Sequence, residues 1–186
     1  MSRTTAVVAA LGLAAVGAAW AAQQEAPTLV GKAAPEIEAG YWLNSGPLTL
    51  KGLQGKIVVV EFWATWCPPC RQSIPHLSEL NKKYGPKGVA IIGLTDEPKA
   101  KVEPFAKEMK MDYVVGGDSP TGKAYGVRGI PTAFLVDTAG TITWAGHPMN
   151  PAFEKAIEEQ LAKTPPKMGP PGAAPGEKPS PKKPKK

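Results

Sequence analysis

Cysteine is nearly absent from this chain of 186 residues, which has two, Cys67 and Cys70. Two thiols cannot build the disulfide framework of a small secreted fold, and two ligands cannot close a structural zinc site. Histidine is as scarce. His76 and His147 stand alone, without the spacing to the cysteines that a metal site needs. No apolar run reaches the roughly 20 residues of a membrane span. The middle of the chain also lacks net charge. The formal charge is +6 and the sequence pI about 9.3, but the excess lies at the ends. Residues 1–21 hold one charged side chain, Arg3, and residues 164–186 hold six lysines against the single acid Glu177. Residues 22–163 carry as many acids as bases, which argues against a nucleic-acid-binding fold there.

The two ends differ from the middle in other ways. Met1-Ser2-Arg3 is a short positive start, followed by small and aliphatic residues over 6–18, the length of a signal-peptide core. Ala19-Trp20-Ala21 then puts small residues at the two positions that matter for cleavage. Residues 1–21 therefore read as an export signal, with an uncleaved anchor or an ordinary helix as alternatives. Export places residues 22–163 outside the cytoplasm, in the periplasm or an equivalent compartment, where disulfide chemistry occurs. Residues 164–186 contain eight of the 21 prolines and no aromatic residue. Such a segment cannot bury enough apolar surface to offset the entropy of ordering, so it is expected to be disordered. Its lysine runs suit an anionic membrane or cell-wall polymer, and equally a solubilising tail.

Between the ends, strand and helix patterns alternate. Residues 57–63 (Ile-Val-Val-Val-Glu-Phe-Trp) predict a buried central strand. Residues 68–84 predict a helix with Ile74, Leu77, Leu80 and Tyr84 on one face, kinked at Pro75 and closed by Gly85-Pro86. A second buried strand follows over 89–94, an amphipathic helix over 101–111, a short strand over 113–115 and a short helix over 120–125. Residues 132–136 and 141–144 are strands joined by Asp137-Thr138-Ala139-Gly140, a hairpin signal. Asn150 caps a last helix to Lys163. Residues 29–53 read as an N-terminal β-hairpin. The whole is an α/β domain, a central mixed β-sheet flanked by helices.

The chemistry lies in Trp66-Cys67-Pro68-Pro69-Cys70, where the first buried strand turns into the first long helix. A thiol at a helix N-terminus meets unpaired backbone N–H groups and the positive end of the dipole, which favour thiolate. Cys67 is thus expected to be the exposed nucleophile, and Cys70, three residues on, the more buried resolving thiol. Prolines suit this helix start, because their missing N–H groups have no role there. For the same reason they offer few donors to a thiolate. A dithiol whose reduced form is weakly stabilised leans toward reductant. Glu61 is an acid inside a buried strand, so it must be paired, hydrated or held protonated.

The strand with Ala64-Thr65-Trp66-Cys67-Pro68-Pro69-Cys70, together with Gly126-Val127-Arg128-Gly129-Ile130-Pro131-Thr132, resembles a thioredoxin-fold protein. Over about residues 33–162 the chain most resembles the extracytoplasmic TlpA/ResA-like thiol–disulfide oxidoreductases. The resemblance implies a thioredoxin fold and a cis Ile130–Pro131 peptide beside the dithiol. There Ile130 and Pro131, with Trp66 shielding Cys67, would hold an extended substrate. It also implies an acid beneath the disulfide that shuttles the proton of the resolving thiol. That role falls to Glu61, in a position where the TlpA-like branch often lacks an acid. Implied partners are protein disulfides, such as those of cytochrome c maturation, and a membrane thiol-reductase as electron donor. No metal or cofactor is implied. Three alternatives stay open: a general oxidant or isomerase, a thiol peroxidase, and a copper-binding module using His147 and Met149. The peroxidase usually wants T-x-x-C, whereas Thr65 precedes Cys67 by two positions. His76 reads as solvent-facing, and Trp63 as core.

Overall fold

The computed structural model describes residues 29–166; the expected export signal and the tail from Lys167 onward lie outside the described residues. Six strands form one mixed sheet in the order β1-β4-β3-β2-β5-β6. The strands are β1 (Tyr41–Leu43), β2 (Ile57–Phe62), β3 (Val89–Leu94), β4 (Val114–Gly117), β5 (Thr132–Val136) and β6 (Ile142–Gly146). Between them run α1 (Pro68–Tyr84), α2 (Lys99–Glu108), α3 (Thr121–Ala124) and, after β6, α4 (Pro151–Lys163). Strands β2, β3 and β4 are parallel, while on β2's other side β5 pairs antiparallel with β2 and β6 antiparallel with β5. This is the mixed sheet that the sequence pattern predicts, in the thioredoxin-fold arrangement that the resemblance implies.

β2 is buried on both faces, and its alternation divides the core. Ile57, Val59 and Trp63 point to one face, where α1, α2 and α4 supply Ile74, Leu77, Val102, Phe105, Phe153 and Ile157. Val58, Val60 and Phe62 point to the other, under Ile37, Leu48, Leu53 and Tyr125. A strand paired on both edges and covered on both faces is apolar throughout, as parallel-sheet strands are. Glu61 interrupts that run, and the pleat puts it on the face of Trp63 and the cysteines.

The N-terminal extension covers the second face and completes the sheet. β1 pairs antiparallel with β4, Tyr41 against Gly117 and Leu43 against Val115, and Ala33 forms an isolated bridge with Thr141. β4 runs two residues past the expected strand, through Gly116 and Gly117, because Trp42 and Tyr41 lie against those glycines where side chains would clash. α2 begins and ends earlier than its periodicity suggests. Lys110 adopts a left-handed conformation (φ 52°) just after it, which terminates the helix and leaves Met111 buried in the connection. Pro75 lies inside α1 without ending it.

Candidate active site

β2 delivers the chain to Cys67, the N-cap of α1. Cys67 has extended backbone (φ −91°, ψ 106°), and Pro68 and Pro69 fill the first helical positions. Cys67 and Cys70 form a disulfide with S–S 2.07 Å and Cα–Cα 5.3 Å. A capping side chain normally accepts from the third helical N–H. Here Cys67 Sγ takes that place, 3.2 Å from Cys70 N. With prolines before it, Cys70 supplies the first backbone N–H of the helix, and Cys67 Sγ faces that donor without the usual two preceding it. Cys70 is fully buried, and Cys67 is only 2% exposed. The sequence expectation of an exposed Cys67 therefore fails in this closed state. The Cys67 sulfur lies buried, with the Ile130 carbonyl oxygen 3.7 Å from it. A disulfide sulfur has no proton to give, so this approach becomes a hydrogen bond only when Cys67 is reduced.

The Ile130–Pro131 peptide is cis, as the resemblance implies. Pro131 is buried and Ile130 half-buried. Trp66, next to the disulfide, is 69% exposed, whereas Trp63 is in the core, stacked on Phe105 at 5.6 Å. Arg71 lies 4.9 Å from the Phe105 ring centre. The surface around the closed disulfide thus offers a large exposed ring and the backbone of residue 130.

Glu61 lies beneath this surface with no exposure, and neither carboxylate oxygen has a hydrogen-bond partner among the described residues. Burial alone pushes its pKa up to about 8, since the charged form loses its hydration with nothing in return. Three more buried polar groups share its condition among the described residues, the Ser78 hydroxyl on α1, the Trp63 indole N–H and the Tyr113 hydroxyl. Of the three options set by the sequence, the first is not met: no charge pairs with it among the described residues. At neutral pH Glu61 is held mostly protonated.

A second acid shapes the loop before Cys67. Glu97, in the β3–α2 connection, is buried at 6%. Its carboxylate accepts from Thr65 N at 2.6 Å and from Thr65 Oγ1 at 2.8 Å. The Glu97 backbone carbonyl in turn accepts from Tyr41 Oη and from Asp118 N. The edge strand β1 therefore braces Thr65, two residues before the nucleophile, through Glu97.

With this geometry, the chain matches the AhpC/TSA family over residues 30–145. It is 39% identical over 134 residues to the thiol-disulfide oxidoreductase ResA of Bacillus cereus, covering 70% of this chain and 71% of that protein. To the ResA of Geobacillus thermodenitrificans it is 35% identical over 116 residues, 61% of this chain and 66% of that one. Among solved structures, a thiol:disulfide interchange protein of the thioredoxin family from Chlorobium tepidum superposes with a TM-score of 0.60. That pair is 27% identical and spans 69% of this chain and 96% of the other. The chain belongs to the ResA-like thiol–disulfide oxidoreductases of the AhpC/TSA family.

In this ResA-like chain the fold brings Cys67, Cys70, Trp66, Ile130 and Pro131 to one end of the sheet, with Glu61 on the face behind them. The histidines stay apart. His76 is half-buried on α1, and His147 Nδ1 accepts from Met149 N in the β6–α4 loop. Among the described residues no cluster of ligands could hold a metal ion. Sequence reasoning missed Glu97 and Tyr113. Thr95-Asp96-Glu97-Pro98 reads as a polar loop, and a loop acid carries no sign of burial. Tyr113 reads as an ordinary strand aromatic.

Proposed function

We propose that this protein is an extracytoplasmic protein-disulfide reductase. In the reduced form, the Cys67 thiolate attacks a substrate disulfide and forms a mixed disulfide, the substrate strand lying against Ile130, Pro131 and Trp66 by backbone pairing and apolar contact. The Cys70 S–H proton then passes to Glu61 in the fraction of molecules in which that buried acid is ionised. Cys70 sulfur bonds to Cys67, the Cys67–substrate bond breaks, and the substrate sulfur leaves with the electron pair. The products are a reduced substrate and the closed disulfide seen here. A membrane thiol-reductase returns the chain to the dithiol form. Export by residues 1–21, substrates among disulfides such as those of apocytochrome c, and contact of the lysine tail with an anionic surface complete the reading.

One observation carries the reductive direction. Cys67 Sγ has a single helical N–H, that of Cys70, at 3.2 Å, because Pro68 and Pro69 remove the two before it. A thiolate held by few donors gains little from remaining reduced, so the pair gives up its electrons readily. A glutathione redox titration of the mature chain tests this. A potential below about −250 mV is expected, and one near −120 mV, in the range of strong oxidants, would overturn it. Substrates are identified by trapping with Cys70→Ser, which leaves the mixed disulfide on Cys67 unresolved. The peroxidase alternative loses its hydroxyl, because Thr65 Oγ1 is bound to Glu97 rather than directed at Cys67.

A further inference from the structure

The unpartnered groups behind the disulfide carry an inference that rests on the reading of Glu61 as proton acceptor. Glu61 stands beside Gly93 of β3 in the parallel register. A Cβ at residue 93 would lie 2.9 Å from Trp63 Nε1 and 3.1 Å from Tyr113 Cε2. The glycine is what lets both rings close in beside the Glu61 backbone. Tyr113, just before β4, is 1% exposed, and its backbone carbonyl accepts from Asn44 Nδ2 at 2.8 Å, which fixes the segment. Two donors and one acceptor are thus gathered on one buried face around Gly93: the Trp63 N–H, the Tyr113 O–H and the Glu61 carboxyl. None has a partner among the described residues. Buried polar groups in folded proteins are satisfied by one another or by ordered water.

We infer that Tyr113 is a positioning residue for Glu61. Its hydroxyl, together with the Trp63 indole, donates to one Glu61 oxygen through a trapped water, and leaves the other oxygen to take the Cys70 proton. A donor to a carboxylate favours the charged form and opposes the desolvation that keeps Glu61 protonated. Tyr113 stays a donor throughout, because burial first and the Glu61 charge second hold its phenol well above the ordinary range. The neighbouring elements add little charge. β5 contributes Ala133 opposite Glu61, and α2 packs Val102 and Phe105 on this face. α1 contributes Cys70, and its Arg71 lies beyond the Phe105 ring. Asp112, next to Tyr113, also raises the phenol and is itself 3.3 Å from Lys82 Nζ. In the resolving step the proton moves from Cys70 to Glu61 alone; Tyr113 and Trp63 keep theirs.

The test uses the full chain labelled with 13C-glutamate. Infrared spectroscopy follows the protonated Glu61 carbonyl, identified by its loss in Glu61→Gln, while pH is varied. Tyr113→Phe keeps the ring and removes the donor. It is expected to raise the pH midpoint of Glu61 ionisation by about one unit. The pH profile of reduction of a model peptide disulfide should move upward with it. An unchanged midpoint overturns the inference. The unaltered protein supplies a second measurement, independent of any variant's folding. Its Glu61 carbonyl band must lie at the frequency of a hydrogen-bonded acid, and a band at the free-carbonyl frequency also overturns the inference. The proton-acceptor reading fails separately, if Glu61→Gln leaves the pH profile of peptide reduction as in the parent.

Discussion

At the scale of single residues, two acids are buried around the segment that carries the dithiol, and their surroundings give them different work. Glu97 is hydrogen-bonded twice by Thr65, and Glu61 has no partner. For Glu61 the pKa rises from 4.5 to about 8 on folding. Between those values the folded chain holds a proton that the unfolded chain releases. Stability therefore falls as pH rises through that window. Glu61→Gln removes the slope, so melting curves at pH 5 and pH 9 should show the variant gaining on the parent at the higher pH. A constant difference between the two pH values would mean Glu61 is already ionised in the fold. For Glu97 the prediction concerns coupling. Removing a buried charged hydrogen bond costs about 1.5–3 kcal/mol, and Thr65→Val removes part of the same contact. In urea unfolding, Glu97→Ala and Thr65→Val together should cost less than their sum. Additive losses would show that the loop is held by something else.

At the scale of elements, α1 does most of the chemical positioning. Its start at Pro68, its end at Tyr84 and its buried face were all legible, because apolar spacing, N-terminal prolines and a following Gly-Pro agree. The ends of α2 and β4 were not legible. They depend on the left-handed Lys110 and on Tyr41 and Trp42 lying against Gly116 and Gly117, a contact between segments more than 70 residues apart. The cysteines, Glu61 and Ile130–Pro131 were readable as local motifs, whereas Glu97 and Tyr113 acquire their roles only through distant packing. A proline at the second helical position also makes a prediction about α1. Pro69→His restores an N–H beside Cys67 Sγ, so the variant should be more oxidising, with a lower Cys67 thiol pKa. Glutathione titration reads the first and the pH dependence of alkylation the second; an unchanged potential would remove the proline explanation.

At the scale of the whole molecule, charge and chemistry occupy different parts of the chain. The surplus of lysine in residues 164–186 predicts where any affinity for anionic surfaces lies. With residues 1–21 removed, the chain should sediment with phosphatidylserine vesicles at low salt. Deletion of residues 167–186 should abolish this, and retention after deletion would place the affinity on the domain instead. The exposed ring beside the disulfide has another consequence. Trp66 is 69% exposed and adjoins Cys67, while Trp63 is sealed in the core at 2%. A disulfide quenches an excited indole nearby, and a dithiol does so far less. Light emitted by Trp66 should therefore brighten when the pair is reduced, and Trp66→Phe should remove most of that change. The protein carries its own optical gauge of its electron count, readable without a dye or a coupled substrate.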